Sequence, residues 1–273
     1  MSRTLFPKIS SYHKEWLDVG DGHQLYIEQS GNPNGIPVLY LHGGPGGGCS
    51  KNHRRYFDPS RYQIILFDQR GCGRSQPSPS IVNNTLEQLL ADIESIRQHL
   101  SISQWLITGG SWGTTLALAY GIKYADKVSG FILRGIFLGS QAEYNWLYKK
   151  EGVAKFYPEY YRRFIGHLTE KEQGDPLSTY YQKLTSDNEV AVISASKSWC
   201  LWELQLSTLE HHNIGMARID DPHQALCMAK ISSHFFVNQC FLTENYILDN
   251  IQQIEKIPAI IIQRENFLFR DLC

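Results

Sequence analysis

The chain lacks a long apolar run, a block of like charge and a paired-cysteine motif, and each absence narrows what it can be. Its longest apolar stretches are of strand length, far short of the roughly 20 residues a membrane helix needs. The N-terminal stretch MSRTLFPKISSYHKEW has no apolar segment of the kind a secretory leader carries. The 26 Lys and Arg nearly balance the 27 Asp and Glu, and no basic tract or acidic tail stands out. That argues against nucleic-acid and membrane partners. The six cysteines (Cys49, Cys72, Cys200, Cys227, Cys240 and Cys273) are scattered without a C-x-x-C pair. Free thiols in a reducing compartment, the cytoplasm, are expected. No repeat or low-complexity tract is present.

What is present is an alternation of strand and helix signals. His23 to Gln29, Pro37 to His42 and Tyr62 to Phe67 read as strands, as do WLITG before Ser111 and VSGFILRG after the next helix. Leu86, Leu89, Leu90, Ile93, Ile96 and Leu100 mark one face of a helix. Asn84 and Glu87 have the spacing of a capping box at its start. Apolar strands alternating with helices predict an α/β fold, a mostly parallel sheet with helices on both faces. Active sites in such sheets lie beyond the carboxyl ends of the strands. From about Phe137 to Gln239 strand signals fade and aromatics crowd in, which predicts a helical insertion over the sheet. A strand signal returns at IPAIIIQ, Ile257 to Gln263. The expected organisation is a first core part at 1–136, a helical cap at 137–239 and a core return at 240–273.

Three motifs fall at strand ends. In LITGGSWGTTLALAYG, Ser111 lies between Gly109 and Gly113, after an apolar strand and before an apolar helix. That is the context of a nucleophile elbow, whose sharp turn leaves no room for side chains two residues either side of the serine. A simple strand-to-helix turn is the bland alternative. LHGGPGGGCS follows another apolar strand and can bring backbone N–H groups close to a reacting carbonyl. Gly44, with the N–H of Trp112, is the candidate oxyanion pair. The phosphate-loop alternative fails, because neither glycine fingerprint fits this context. His42 there reads as structural. In FDQRGCGRS, Asp68 and Arg70 have the placement for an ion pair that fixes the loop.

With HGGPGGG, DQRGCGRS, LLADIESIRQHL, GGSWGTTLALAY and FILRGIF in this order, and YPEYYRRF and WCLWE in the insertion, the sequence resembles the proline iminopeptidases. These are serine aminopeptidases of the α/β-hydrolase fold. The resemblance runs from near the N-terminus to about Gln263. It implies release of N-terminal proline from peptides, without a metal or organic cofactor. Ser111 would be the nucleophile, and Gly44 and Trp112 the oxyanion donors. It also implies cap glutamates that hold the substrate's free amine. Glu203 in WCLWE matches one of these. The segment AKISSHFFVN, where a second belongs, has Ser232 and Ser233 instead. An esterase using the same elbow is the alternative chemistry.

The same resemblance places the triad acid just after IPAIIIQ and a histidine after one more strand. Here the residues following Gln263 are Arg264, Glu265, Asn266 and Phe267, and no histidine follows His234. Glu265 and Asp271 lie near the acid position with no later histidine to orient. The family's last strand and helix are likewise expected to be missing, leaving Ala259 to Ile262 as an apolar sheet edge. The alternative reading is a member that keeps its scaffold and does not turn over.

Overall fold

The computed structural model describes residues 5–207 and 220–263. Seven strands form one sheet in the order β1-β2-β4-β3-β5-β6-β7. They are β1 (Ser11–Asp18), β2 (Gln24–Gly31), β3 (Ile36–Leu41), β4 (Tyr62–Phe67), β5 (Trp105–Gly110), β6 (Val128–Arg134) and β7 (Ala259–Ile262). Strands β4, β3, β5, β6 and β7 run parallel, and β2 and β1 are added antiparallel at one side. The inner strands β3 and β4 are buried on both faces over Val38–Leu41 and Ile64–Phe67, which is why these runs are apolar without a break.

Between the strands run α1 (Leu86–His99) and α2 (Trp112–Lys123). The face of α1 falls as its spacing predicts, with Leu86, Leu89, Leu90, Ile93 and Ile96 all buried. Its start does not. Thr85, not Asn84, is the N-cap residue. Asn84 is buried and donates to the carbonyls of Arg70 and Ser80 at 3.0 and 3.1 Å, so the Asn84–Glu87 box does not form. Glu87 pairs instead with Lys123 of α2. Strand β1 gave no apolar signal, because SYHKEWLD is an edge strand with one face in water. Its pairing is held by side chains such as Trp16, edge-on to Tyr26 at 5.2 Å.

Every described element from Gln141 to Val237 is helical: α3 (Gln141–Tyr148), α4 (Pro158–Ile165), α5 (Glu170–Gln173), α6 (Pro176–Leu184), α7 (Glu189–Ser207) and α8 (Pro222–Val237), with short 3-10 turns. Proline opens α4, α6 and α8, where its missing N–H costs nothing. Asp175 and Asp221 cap α6 and α8 by accepting from backbone N–H groups in the first turn. The buried side chains of these helices join those under the sheet in one continuous core. A short helix, α9 (Tyr246–Asp249), leads back to β7. No helix among the described residues is long and apolar enough to cross a membrane. Glu265, Asp271 and Cys273 lie outside the described residues. The five described cysteines are free thiols.

Candidate active site

Ser111 is the one residue between the end of β5 and the start of α2. Its backbone sits at φ 55°, ψ −127°, a region that costs a non-glycine residue about 1–3 kcal/mol. The surroundings hold it there. Its N–H donates to the carbonyls of Arg134 and Gly135 at 3.0 and 3.1 Å, and its carbonyl accepts from Thr114 N–H at 2.7 Å. The flanking glycines are steric necessities. A Cβ on Gly109 would lie 2.4 Å from the Gly113 carbonyl oxygen, and one on Gly113 would lie 2.3 Å from that of Leu41. The turn thus presents an exposed hydroxyl at a helix N-terminus, where developing negative charge is favoured.

The glycine loop after β3 lies against this turn. A Cβ on Gly43 would be 3.6 Å from Ser111 Cβ. Gly44 has φ +121°, and a Cβ there would meet the Gly46 and Gly47 nitrogens at 2.7 and 2.8 Å. Ser111, Trp112 and the Gly43–Gly48 loop are therefore brought together. Trp112 is fully buried, and its indole N–H donates to Gln69 Oε1 at 3.0 Å. Gln69 in turn donates its side-chain amide to the His42 carbonyl and its backbone N–H to His42 Nε2. His42 is 1% exposed and engaged in this strand-end packing, a structural role.

The expected Asp68–Arg70 pair does not form. Asp68 takes Arg74, with Nε at 2.7 Å, and also accepts the N–H groups of Cys49 and Arg74. Arg70 reaches the other way, with a two-pronged bond to Asp92 of α1 at 2.6 and 2.7 Å. The turn at Gly71 and Gly73 separates the two partners, a reversal that spacing alone does not reveal. Burial pushes the Asp68 carboxyl up, but the Arg74 bonds and charge outweigh it and hold Asp68 below the usual carboxylate range. For Asp92 burial wins over Arg70, and its pKa is raised.

Glu203 lies on α7 within an aromatic cluster. Its Oε1 accepts from Tyr148 O–H at 2.8 Å. Desolvation pushes its pKa up to about 7, against the pull of Tyr148 and of the Trp199 indole one helical turn away. That indole N–H is buried and reaches no acceptor in hydrogen-bond geometry. Tyr148 stacks on Trp199 at 4.9 Å and leans on Phe236 at 6.0 Å. Phe236 meets Phe137 at 5.7 Å, and the Phe137 carbonyl accepts from Thr115 of α2. Packed rings thus connect Glu203 to the helix that begins at Ser111. Tyr148 as the partner of Glu203 had no signal in the sequence beyond its place among the aromatics. Ser232 and Ser233 are fully buried and donate to backbone carbonyls. Neither replaces a carboxylate.

No hydrogen bond involves Ser111 Oγ among the described residues. The described histidines are committed elsewhere. His23 Nε2 meets the Val82 carbonyl, His234 Nε2 that of Asn84, and His223 the Ser78 hydroxyl. His13 and His99 face Glu15, His53 approaches Ser50 N–H, and His167 packs on Tyr180.

This combination of parallel sheet, serine turn and glycine loop is the arrangement of the α/β hydrolase fold, and the family model for that fold matches residues 36–217. A solved structure of an epoxide hydrolase from hot-environment metagenomes superposes with a TM-score of 0.58 at 14% identity, covering 95% of this chain and 94% of that one. A carboxylesterase structure from Nitrososphaera gargenis gives 0.53 at 14% identity over 93% and 92%. At such identity the likeness concerns the fold alone. The chain is a member of the α/β hydrolase family. Sequence relatives narrow it further. A proline iminopeptidase of Xylella fastidiosa is 43% identical over 261 residues, 95% of this chain and 83% of the relative. Those of Arabidopsis thaliana and Neisseria meningitidis are 43% and 41% identical, over 96% and 92% of this chain and 69% and 80% of theirs. The chain belongs to the proline iminopeptidase family of hydrolase enzymes.

Proposed function

We propose that the site takes peptides with an N-terminal proline and that Ser111 is its nucleophile. The observation that carries this reading is the strained, exposed Ser111 turn with the glycine loop packed against it. Ser111 Oγ attacks the prolyl carbonyl, and its proton passes to a base. The carbonyl oxygen becomes an oxyanion facing the N–H groups of Gly44 and Trp112. Collapse expels the peptide amine, which takes up a proton, and leaves prolyl-Ser111. Water then cleaves that ester and releases proline. The segment 137–239, helical in its described elements, acts as a cap. Its aromatic wall suits a pyrrolidine ring, and Glu203, when ionised, pairs with the protonated amine.

One observation favours a second reading, binding without turnover. Among the described residues no hydrogen bond joins Ser111 Oγ to a histidine, and His23, His223 and His234 face other partners. A serine without its base retains only about 10³–10⁴-fold catalysis over water, from the oxyanion hole and binding. Hydrolysis of a chromogenic prolyl amide by the purified chain, beside Ser111→Ala, separates the readings. Turnover that Ser111→Ala abolishes supports the peptidase. Proline-peptide binding that Glu203→Gln weakens, with no turnover, supports the binder. Preference for a simple ester over the prolyl amide sinks both and leaves an esterase.

A further inference from the structure

The glycine loop is anchored from outside. Within it, Gly47 N–H donates to the Gly43 carbonyl at 3.1 Å. At its far end Cys49 is clamped from both sides, its N–H to Asp68 at 2.7 Å and its carbonyl to Arg74 at 3.2 Å. At its apex the contact comes from α8. Ser232 Oγ lies 2.9 Å from the Pro45 carbonyl oxygen, sharing its hydrogen with the Met228 carbonyl at 2.5 Å. The same helix presses on the next residue. A Cβ on Gly46 would lie 2.7 Å from the Cys227 carbonyl oxygen and 3.1 Å from Ile231 Cβ.

A loop this rich in glycine has many accessible conformations, so the donors it offers are only as fixed as its ties. We propose that Ser232 is a positioning residue. By holding the Pro45 carbonyl it fixes the peptide plane after Pro45 and narrows the conformations open to the Gly44 N–H, two peptide planes back. Helix α8 thereby sets the geometry of the loop as well as covering it. Ser233 makes the contrast. It is equally buried, but its hydroxyl donates to the Lys230 carbonyl inside the helix rather than to the loop. The proposal rests on reading Gly43–Gly48 as the oxyanion loop, and its test does not need turnover.

The experiment is hydrogen exchange of peptides spanning Gly43–Cys49 in the full chain, comparing Ser232→Ala with Ser233→Ala. Loss of one such bond corresponds to about five- to tenfold faster local opening. That acceleration is expected in the loop for Ser232→Ala and absent for Ser233→Ala. Equal loop exchange in the two variants overturns the proposal, as does acceleration spread evenly over all of α8. Ser232→Cys keeps the volume with a weak donor and repeats the comparison if the alanine variant does not fold. Where the chain turns over prolyl amide, kcat falls in Ser232→Ala while KM holds. A chain without turnover removes that readout and leaves the exchange result to decide.

Discussion

Glu203 is the carboxylate of the aromatic cluster around Tyr148 and Trp199. The residue is partly exposed but its carboxyl is desolvated, which raises its pKa from 4.5 to about 7. Between those values the folded chain binds a proton that the unfolded chain does not. Stability conferred by the protonated form is therefore complete below pH 4.5 and lost as pH rises through about 7. Discounted for its partial exposure, the loss is of the order of 1–3 kcal/mol. In Glu203→Gln this pH dependence should vanish, leaving the variant at neutral pH as stable as the wild type or more so, as urea titrations at pH 5 and 8 would show. Binding has the opposite slope. A protonated amine needs the carboxylate, so affinity for a prolyl peptide should climb as pH rises from 6 to 7.5 in the wild type and stay flat in Glu203→Gln. Titration calorimetry over that range decides it. The sequence singled out Glu203 as a candidate through its tryptophan neighbours and the resemblance. It did not show the Tyr148 bond or the raised pKa, because both arise from helices far apart in the chain meeting over the sheet.

At the scale of elements, two junctions govern the site: the β5–α2 turn and the loop after β4. The turn was fully legible, since the spacing of Gly109, Ser111 and Gly113 follows from sterics that any strand-to-helix reversal of this kind must obey. Gly113→Ala tests that directly. With only 2.3 Å from its Cβ to the Leu41 carbonyl oxygen, the backbone must move, and a loss of at least 1–3 kcal/mol is expected, read as a lowered urea midpoint. The loop after β4 was legible only as a cluster of charge. DQRGCGR contains three ionic groups, and their pairing depends on where the chain turns at Gly71 and Gly73. The outcome, Asp68 with Arg74 and Arg70 with Asp92, stitches the loop to the glycine loop on one side and to α1 on the other. The Arg70–Asp92 pair is almost wholly buried. Asp92→Leu alone should cost about 3–5 kcal/mol by leaving a guanidinium unpaired, whereas Arg70→Met with Asp92→Leu should cost much less. Urea unfolding of the two single variants and the double one measures the coupling. The α1 cap misled for a related reason. Asn84 is a good cap by type, but its amide is drawn into the core by the Arg70 and Ser80 carbonyls.

Among the described residues the sheet is sealed in the middle and exposed at its two outer strands. Helices cover β3, β4, β5 and β6 so completely that their apolar runs announced themselves in the sequence. The two outermost strands differ. At one side β1 mixes charged and aromatic residues, and Lys14 and Glu15 discourage pairing with another chain. At the other side β7 reads AIII, and among the described residues it pairs only with β6. Ile260, Ile261 and Ile262 are 60%, 62% and 50% exposed. Successive strand residues point to opposite faces, so this apolar surface lies on both faces at once. An uncharged β-branched edge of this kind invites strand addition. Burial contributes little to stability at these positions, so a charge placed there should cost under about 0.5 kcal/mol, as for other surface changes. Ile261→Lys is therefore expected to lower concentration-dependent light scattering while leaving the urea midpoint in place. A scattering curve unchanged by the lysine would move the source of any self-association away from β7. A fall in the midpoint would mean that Ile261 is covered in solution and that the edge is already occupied.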